Sequence, residues 1–149
     1  MRTQDLKVLD ELHPVLRPAV EEILKHINSP GKLPEGWELR AQCGYRTPAA
    51  QLLAYRNGTT KLKKSPHNYK PARACDLVWW HPKIGWSWAR CRPWWLTIYW
   101  GEAAGGLTAG GRWGTPAEER KIAAHSGMRI GWDPGHVQLK SWWASLIRK

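Results

Sequence analysis

One acidic side chain interrupts an apolar stretch and limits what the chain can fold into. Residues 73–80 place Ala74, Asp76 and Val78 at one parity and Cys75, Leu77 and Trp79 at the other, the period-two pattern of a strand. Burying Asp76 as an unpaired anion is costly, so a fold that uses this strand must bring the carboxylate a cation or a metal ion. His67 lies nine residues upstream, across one loop. Asp133-Pro134-Gly135-His136 sets a second carboxylate and a second imidazole at the start of a short strand. Two His and one carboxylate suffice for a catalytic zinc site of three protein ligands plus water, with the other carboxylate left to act on the water. A plain His–Asp hydrogen bond also satisfies the acid, so the residues alone leave both readings open.

The surrounding pattern mixes helices and strands without regular alternation, which favours an α+β fold, a small antiparallel sheet flanked by helices. Residues 4–27 carry Leu16, Val20, Ile23 and Ile27 at helical spacing, with Pro14 as a start signal and Ser29-Pro30-Gly31 as a stop. Residues 1–30 are thus expected to form an N-terminal helical layer. Trp37, Leu39, Ala41 and Cys43 alternate with polar residues as a half-buried strand does. Thr47 followed by Pro48 predicts a capped helix over 48–56, ended by Asn57-Gly58. Lys61, Lys63 and Lys64 mark an exposed basic loop. Helices are expected over 93–104 and 115–127, short strands over 128–132 and 136–139, and a terminal helix from about Ser141.

The 149 residues suit one domain, with no linker, repeat or separate wall-binding unit. Twelve Trp and no Phe imply that most Trp must fill the core. Three cysteines without Cys-x-x-Cys spacing argue against a disulfide framework and a cysteine zinc cage, and each reads as a small buried thiol. No stretch approaches the roughly 18 apolar residues of a membrane span, and the N-terminal stretch lacks the pattern of a secretory signal. The formal charge of +11 favours anionic partners such as nucleic acid, lipid head groups or wall polymer. It resides in residues 41–149, with seventeen basic and five acidic residues, whereas residues 1–40 hold six and seven.

Gly44-Tyr45-Arg46-Thr47 with Gln51, Tyr55 and Gly58, then Ser65-Pro66-His67, then Ala74-Cys75-Asp76, and last Asp133-Pro134-Gly135-His136-Val137-Gln138 occur in one order. Together they resemble the VanY-like zinc peptidases of the hedgehog/DD-peptidase fold, which include D-Ala-D-Ala carboxypeptidases and phage L-alanyl-D-glutamate endolysins. Gly110-Gly111-Arg112-Trp113 is similar to a Gly-Gly-x-Trp element that often precedes the last motif. Two departures stand out: the interval from His67 to Asp76 is longer than the family's usual one, and Arg112 occupies a position that is often acidic there.

The resemblance implies that His67, Asp76 and His136 hold one Zn2+ per chain, that Asp133 is the catalytic base, and that Arg46 faces a substrate carbonyl or carboxylate. Gln51, Ser65, Tyr45 and Gln138 would bind substrate or support those ligands. The function implied is hydrolysis of peptidoglycan stem peptides by a metallopeptidase, as an antimicrobial bacteriophage endolysin degrading the cell wall in host lysis. Such an enzyme is expected to be a monomer that waits in the host cytoplasm until the membrane is permeabilised, then reaches the periplasm and wall. Its charge suits an anionic wall or lipopolysaccharide surface, and the terminal Trp142-Trp143 segment reads as a helix packing on the domain or touching outer-membrane lipid. Alternatives are a D-Ala-D-Ala carboxypeptidase of the same family, or a non-catalytic cationic module binding wall or nucleic acid. No nucleic-acid motif is present, so no nucleic-acid partner is expected.

Overall fold

The computed structural model describes residues 2–60, 62–88, 107–109 and 135–139. The architecture is α+β. Helices α1 (Thr3–Leu9), α2 (Leu16–Ile27) and α3 (Pro48–Arg56) accompany strands β1 (Glu38–Cys43), β2 (Ala74–His81), β3 (Gly85–Ser87), β4 (Leu107–Ala109) and β5 (His136–Leu139). The sheet runs β1-β2-β5-β4, with β3 folded back onto β2, and every pairing is antiparallel.

α2 buries Leu16, Val20, Ile23, Leu24 and Ile27 on one face, the stripe that its three- and four-residue steps require. Together with Val8, Leu9 and Leu12, these side chains pack against Leu39 and Ala41 of β1, Leu77 and Trp79 of β2, and Val137 and Leu139 of β5. Each Leu or Ile so buried contributes about 1.5–3 kcal/mol.

The helical layer is two helices rather than one continuous face. Residues 11–13 are diverted to hydrogen-bond the loop before β2: Ala72 N–H donates to Glu11 O and His13 N–H to Ala72 O, both at 2.8 Å. Pro14 also disfavours helical backbone at His13. α3 begins as its sequence implies, with Thr47 Oγ1 accepting from Ala50 N–H at 3.1 Å.

β1 lies at the edge of the described sheet, and two side chains occupy its outer hydrogen-bonding groups. Asn28 donates to Leu39 O at 2.8 Å and accepts from Leu39 N–H at 2.7 Å, doing with one amide what a neighbouring strand would do. Two residues along, Asp5 of α1 accepts from Ala41 N–H at 2.8 Å. The helices are thereby keyed to the sheet by polar contacts as well as by packing, and the edge is closed to further pairing there.

One sequence expectation needs correcting. Arg40, expected on the solvent side of β1, is buried, because its guanidinium lies 3.4 Å from the Trp80 ring centroid and is tied to Glu38. The apolar character of β2 matches its burial, with Cys75, Leu77, Val78 and Trp79 all covered. Among the described tryptophans Trp79 is fully buried and Trp86 and Trp88 are exposed, while seven others lie outside the described residues. The expectations for 93–104, 115–127, 128–132 and 141–149 lie outside the described residues.

Burial pushes the Asp5 carboxyl above its ordinary 3.8, against the backbone hydrogen bonds that favour its anion. The folded chain therefore holds this proton more tightly than the unfolded chain. The contribution to stability is fully present below pH 3.8 and is lost as pH rises through the folded value. Asp5→Asn, uncharged but still an acceptor, is expected to show a flatter stability–pH profile above that point in urea denaturation. Asp5→Ala leaves Ala41 N–H without its acceptor and is expected to cost about 1–3 kcal/mol at pH 7.

Candidate metal centre

The sheet register builds the site around Asp76. On one side Asp76 is paired with His136 of β5, and on the other with Cys43 of β1. Directly opposed residues project from the same face, so the three side chains form a row across three strands. Cys43 occupies that position because the β1–β2 register slips between Ala41 and Cys43. Such a bulge re-aims a side chain.

His67 arrives from a separate segment, a short 3-10 turn at Pro66–Asn68. Ser65 caps this turn, its Oγ accepting from His67 N–H at 3.1 Å, and Asn68 Oδ1 accepts from Ser65 N–H at 2.9 Å. The turn is fastened to the end of β1, with Arg46 N–H donating to His67 O at 2.8 Å and Asn68 Nδ2 to Arg46 O at 2.8 Å. The long interval from His67 to Asp76 is absorbed by a loop closed through Arg73 N–H to Pro66 O at 3.0 Å and pinned to residues 11–13 through Ala72.

Both imidazoles turn a nitrogen toward one carboxylate. His67 Nε2 is 3.3 Å from Asp76 Oδ2, and His136 Nδ1 is 3.0 Å from Oδ1. Their other nitrogens face oxygens: His67 Nδ1 lies 2.6 Å from Gly44 O, and His136 Nε2 lies 2.8 Å from Gln138 Oε1. This arrangement orients a ligating imidazole and leaves one nitrogen for a metal. The two rings meet edge to face, 5.2 Å between centroids. Arg46 completes the surroundings of the acid, with Nη2 3.5 Å from Asp76 Oδ2.

Gln51 is fully buried and ties these parts together. Its Oε1 accepts from Arg46 Nη1 at 2.9 Å and from Ser65 Oγ at 3.2 Å, while Nε2 donates to Leu62 O at 2.7 Å. Tyr45 instead packs against the core, with Lys70 Nζ 5.4 Å from its ring centroid. Its backbone N–H donates to Glu11 Oε1 at 3.3 Å. Asp133 and the Gly110-Gly111-Arg112-Trp113 element lie outside the described residues.

The electrostatics favour a cation at this place. Burial disfavours the charged form of His67, yet the facing Asp76 and neighbouring Cys43 override it and push its pKa from 6.5 to about 10. Burial alone would raise Asp76, but His67 and His136 hold it well below the ordinary carboxylate value. A carboxylate with two aligned imidazole nitrogens and a nearby thiol matches the donor chemistry of zinc. Cys43, His67 and Asp76 each offer a ligand atom within 4.8 Å of the others.

Cys43 therefore departs from the expectation that every cysteine is a buried core thiol. Cys75 fits that expectation, Cys91 lies outside the described residues, and Cys43 is half-buried at the site. Strict alternation groups Cys43 with Leu39 and Ala41, and a bulge leaves no mark in a period-two pattern. Asn68 was also missed, although its position three residues after Ser65 is the spacing of a reciprocal cap.

No family model matches the sequence, and no curated protein matches it. Among solved structures, the chain is similar to the crystal structure of the Serratia marcescens L-Ala D-Glu endopeptidase ChiX. The similarity covers 93% of this chain and 88% of that one, at 19% identity and a TM-score of 0.57. At that identity the likeness is one of fold.

Proposed function

We propose that the chain is a zinc-dependent peptidoglycan peptidase that cleaves the stem peptide as an L-alanyl-D-glutamate endopeptidase. The observation that carries this reading is the meeting of His67 and His136 on the two oxygens of Asp76. The fold it shares with an endopeptidase of that specificity supports the choice of substrate. In this reading His67 Nε2, an Asp76 oxygen and His136 Nδ1 hold one zinc ion. When bound, zinc supplies Lewis-acid polarisation and lowers the pKa of water to about 7.

The chain's own groups do the rest. Asp133, three residues before His136, takes the proton of the water that adds to the scissile carbonyl and returns it to the leaving amide nitrogen. Arg46 supplies a planar cation at the rim, able to bind a carbonyl oxygen as charge develops or a substrate carboxylate. Gln51 holds that guanidinium in place, since its amide oxygen accepts from Nη1. Gln138 and Gly44 fix the imidazole orientations.

The wider setting we propose is host lysis by a bacteriophage, with the enzyme acting on the wall once the membrane is permeabilised. No helix among the described residues is long and apolar enough to cross a membrane. Between Glu38 and Asp76 the sequence has eight basic residues and no acidic one. Within that stretch α3 and the following loop expose Leu52, Leu53 and Leu62 beside Arg56, Lys63 and Lys64. Such a surface suits an anionic wall or lipopolysaccharide.

The purified chain is expected to contain about one zinc, lost in His67→Ala and in Asp76→Ala, as read by elemental analysis. Asp133→Asn is expected to retain the metal and to lose about 10²–10⁴-fold in kcat. Mass spectrometry of digested muropeptides should reveal new termini at the L-Ala–D-Glu bond. Release of terminal D-Ala alone would instead identify a carboxypeptidase, and a metal-free protein with full activity would overturn the metal centre. Turnover on whole walls is also expected to fall as salt rises from 0.05 to about 0.5 M, while cleavage of soluble muropeptides changes less, because screening acts on the long-range attraction.

A further inference from the structure

Continued regular pairing after Ala41↔Leu77 would set Gln42 against Asp76, but the bulge sets Cys43 there. The thiol stands on the flank of the carboxylate opposite His136, within 4.8 Å of the ligand atoms of His67 and Asp76. Arg46 Nη2 is 3.9 Å from the sulfur, which lies 4.0 Å from Gly44 O. Donors on one tetrahedral zinc stand about 3.6 Å apart, given bonds of about 2.1 Å to nitrogen or oxygen and 2.3 Å to sulfur. A side-chain adjustment of about 1 Å therefore brings the sulfur to ligand spacing from the donor atoms of His67 and Asp76.

We propose that Cys43 is a sulfur ligand to the metal held by His67, Asp76 and His136. This rests on the metal-centre reading above. On loading, the S–H bond breaks, its proton passes to solvent, and a sulfur–metal bond takes its place. Four protein donors leave water a fifth position, a coordination number that zinc reaches in catalytic sites. A thiolate donor biases the centre toward zinc and softer ions and away from magnesium, calcium and manganese. It also makes the centre open to thiol oxidants.

Cobalt(II) reports the donor type directly. The metal-stripped full chain, given one equivalent of cobalt(II), is expected to show an intense near-ultraviolet sulfur-to-cobalt charge-transfer band beside weaker visible bands. Cys43→Ser is expected to keep the visible bands and the bound cobalt but lose the charge-transfer band. In chelator competition it should bind zinc about ten- to a hundredfold more weakly, a loss no smaller than that from removing an outer partner of a ligand. Visible bands without a charge-transfer band in the wild-type chain overturn sulfur ligation and leave the His–Asp–His centre standing. A band that persists in Cys43→Ser comes from another thiol and also overturns it. Failure of the wild-type chain to bind either metal overturns both readings. The wild-type spectrum decides the matter even where a variant folds poorly, and Cys43→Ala provides the same comparison.

Discussion

The carboxylate of Asp76 is the constraint on which the arrangement depends. It sits on a strand flanked by fully covered residues, where an anion is stable only with positive charge brought to it. Two strands and a separate turn bring its partners: His136 comes by register on β5, Arg46 from beyond the end of β1, and His67 from the turn after α3. Removing the acid would leave the Arg46 guanidinium and the two imidazoles without the anion they share. The same demand makes the place suited to a divalent ion, which replaces protons as the compensating charge.

Holding such a cluster requires that its supports also be satisfied. Gln51 links the Arg46 guanidinium, the Ser65 hydroxyl and the Leu62 carbonyl, and Asn68 ties the His67 turn back to Arg46. These bonds cross from one loop to another, so His67 is held by the relation between β1 and the turn rather than by either alone. Farther out, Asn28 and Asp5 fasten the helices to the edge of β1. That strand in turn carries Cys43 and leads into Arg46. Core packing and site geometry are therefore linked through one strand.

Local chemistry made several elements legible. Thr47-Pro48 marked the start of α3, and the apolar steps of α2 matched its buried face. The charge within residues 73–80 singled out Asp76 as an acid needing a partner, and the spacing of His67 and His136 offered two. Other features left no local trace. The diversion of residues 11–13 from helix depends on Ala72, sixty residues away in the sequence. Arg40 is buried only because Trp80 of the neighbouring strand offers its face. Within the β2–β3 hairpin Trp79 is fully buried among the aliphatic side chains of the core, whereas Trp86, paired with Trp80 on the other face, is exposed.

By itself, the sequence determined the chemical inventory and the local elements: which groups titrate, where helices start, where an acid would be costly without a cation. These depend on residue type and on neighbours a few positions away. Only the tertiary structure decided that Cys43 rather than Gln42 faces Asp76, and that His67 and His136 approach different oxygens of it. The physical reason is strand register: a one-residue slip changes which side chain stands opposite, and pairing between distant segments selects the register.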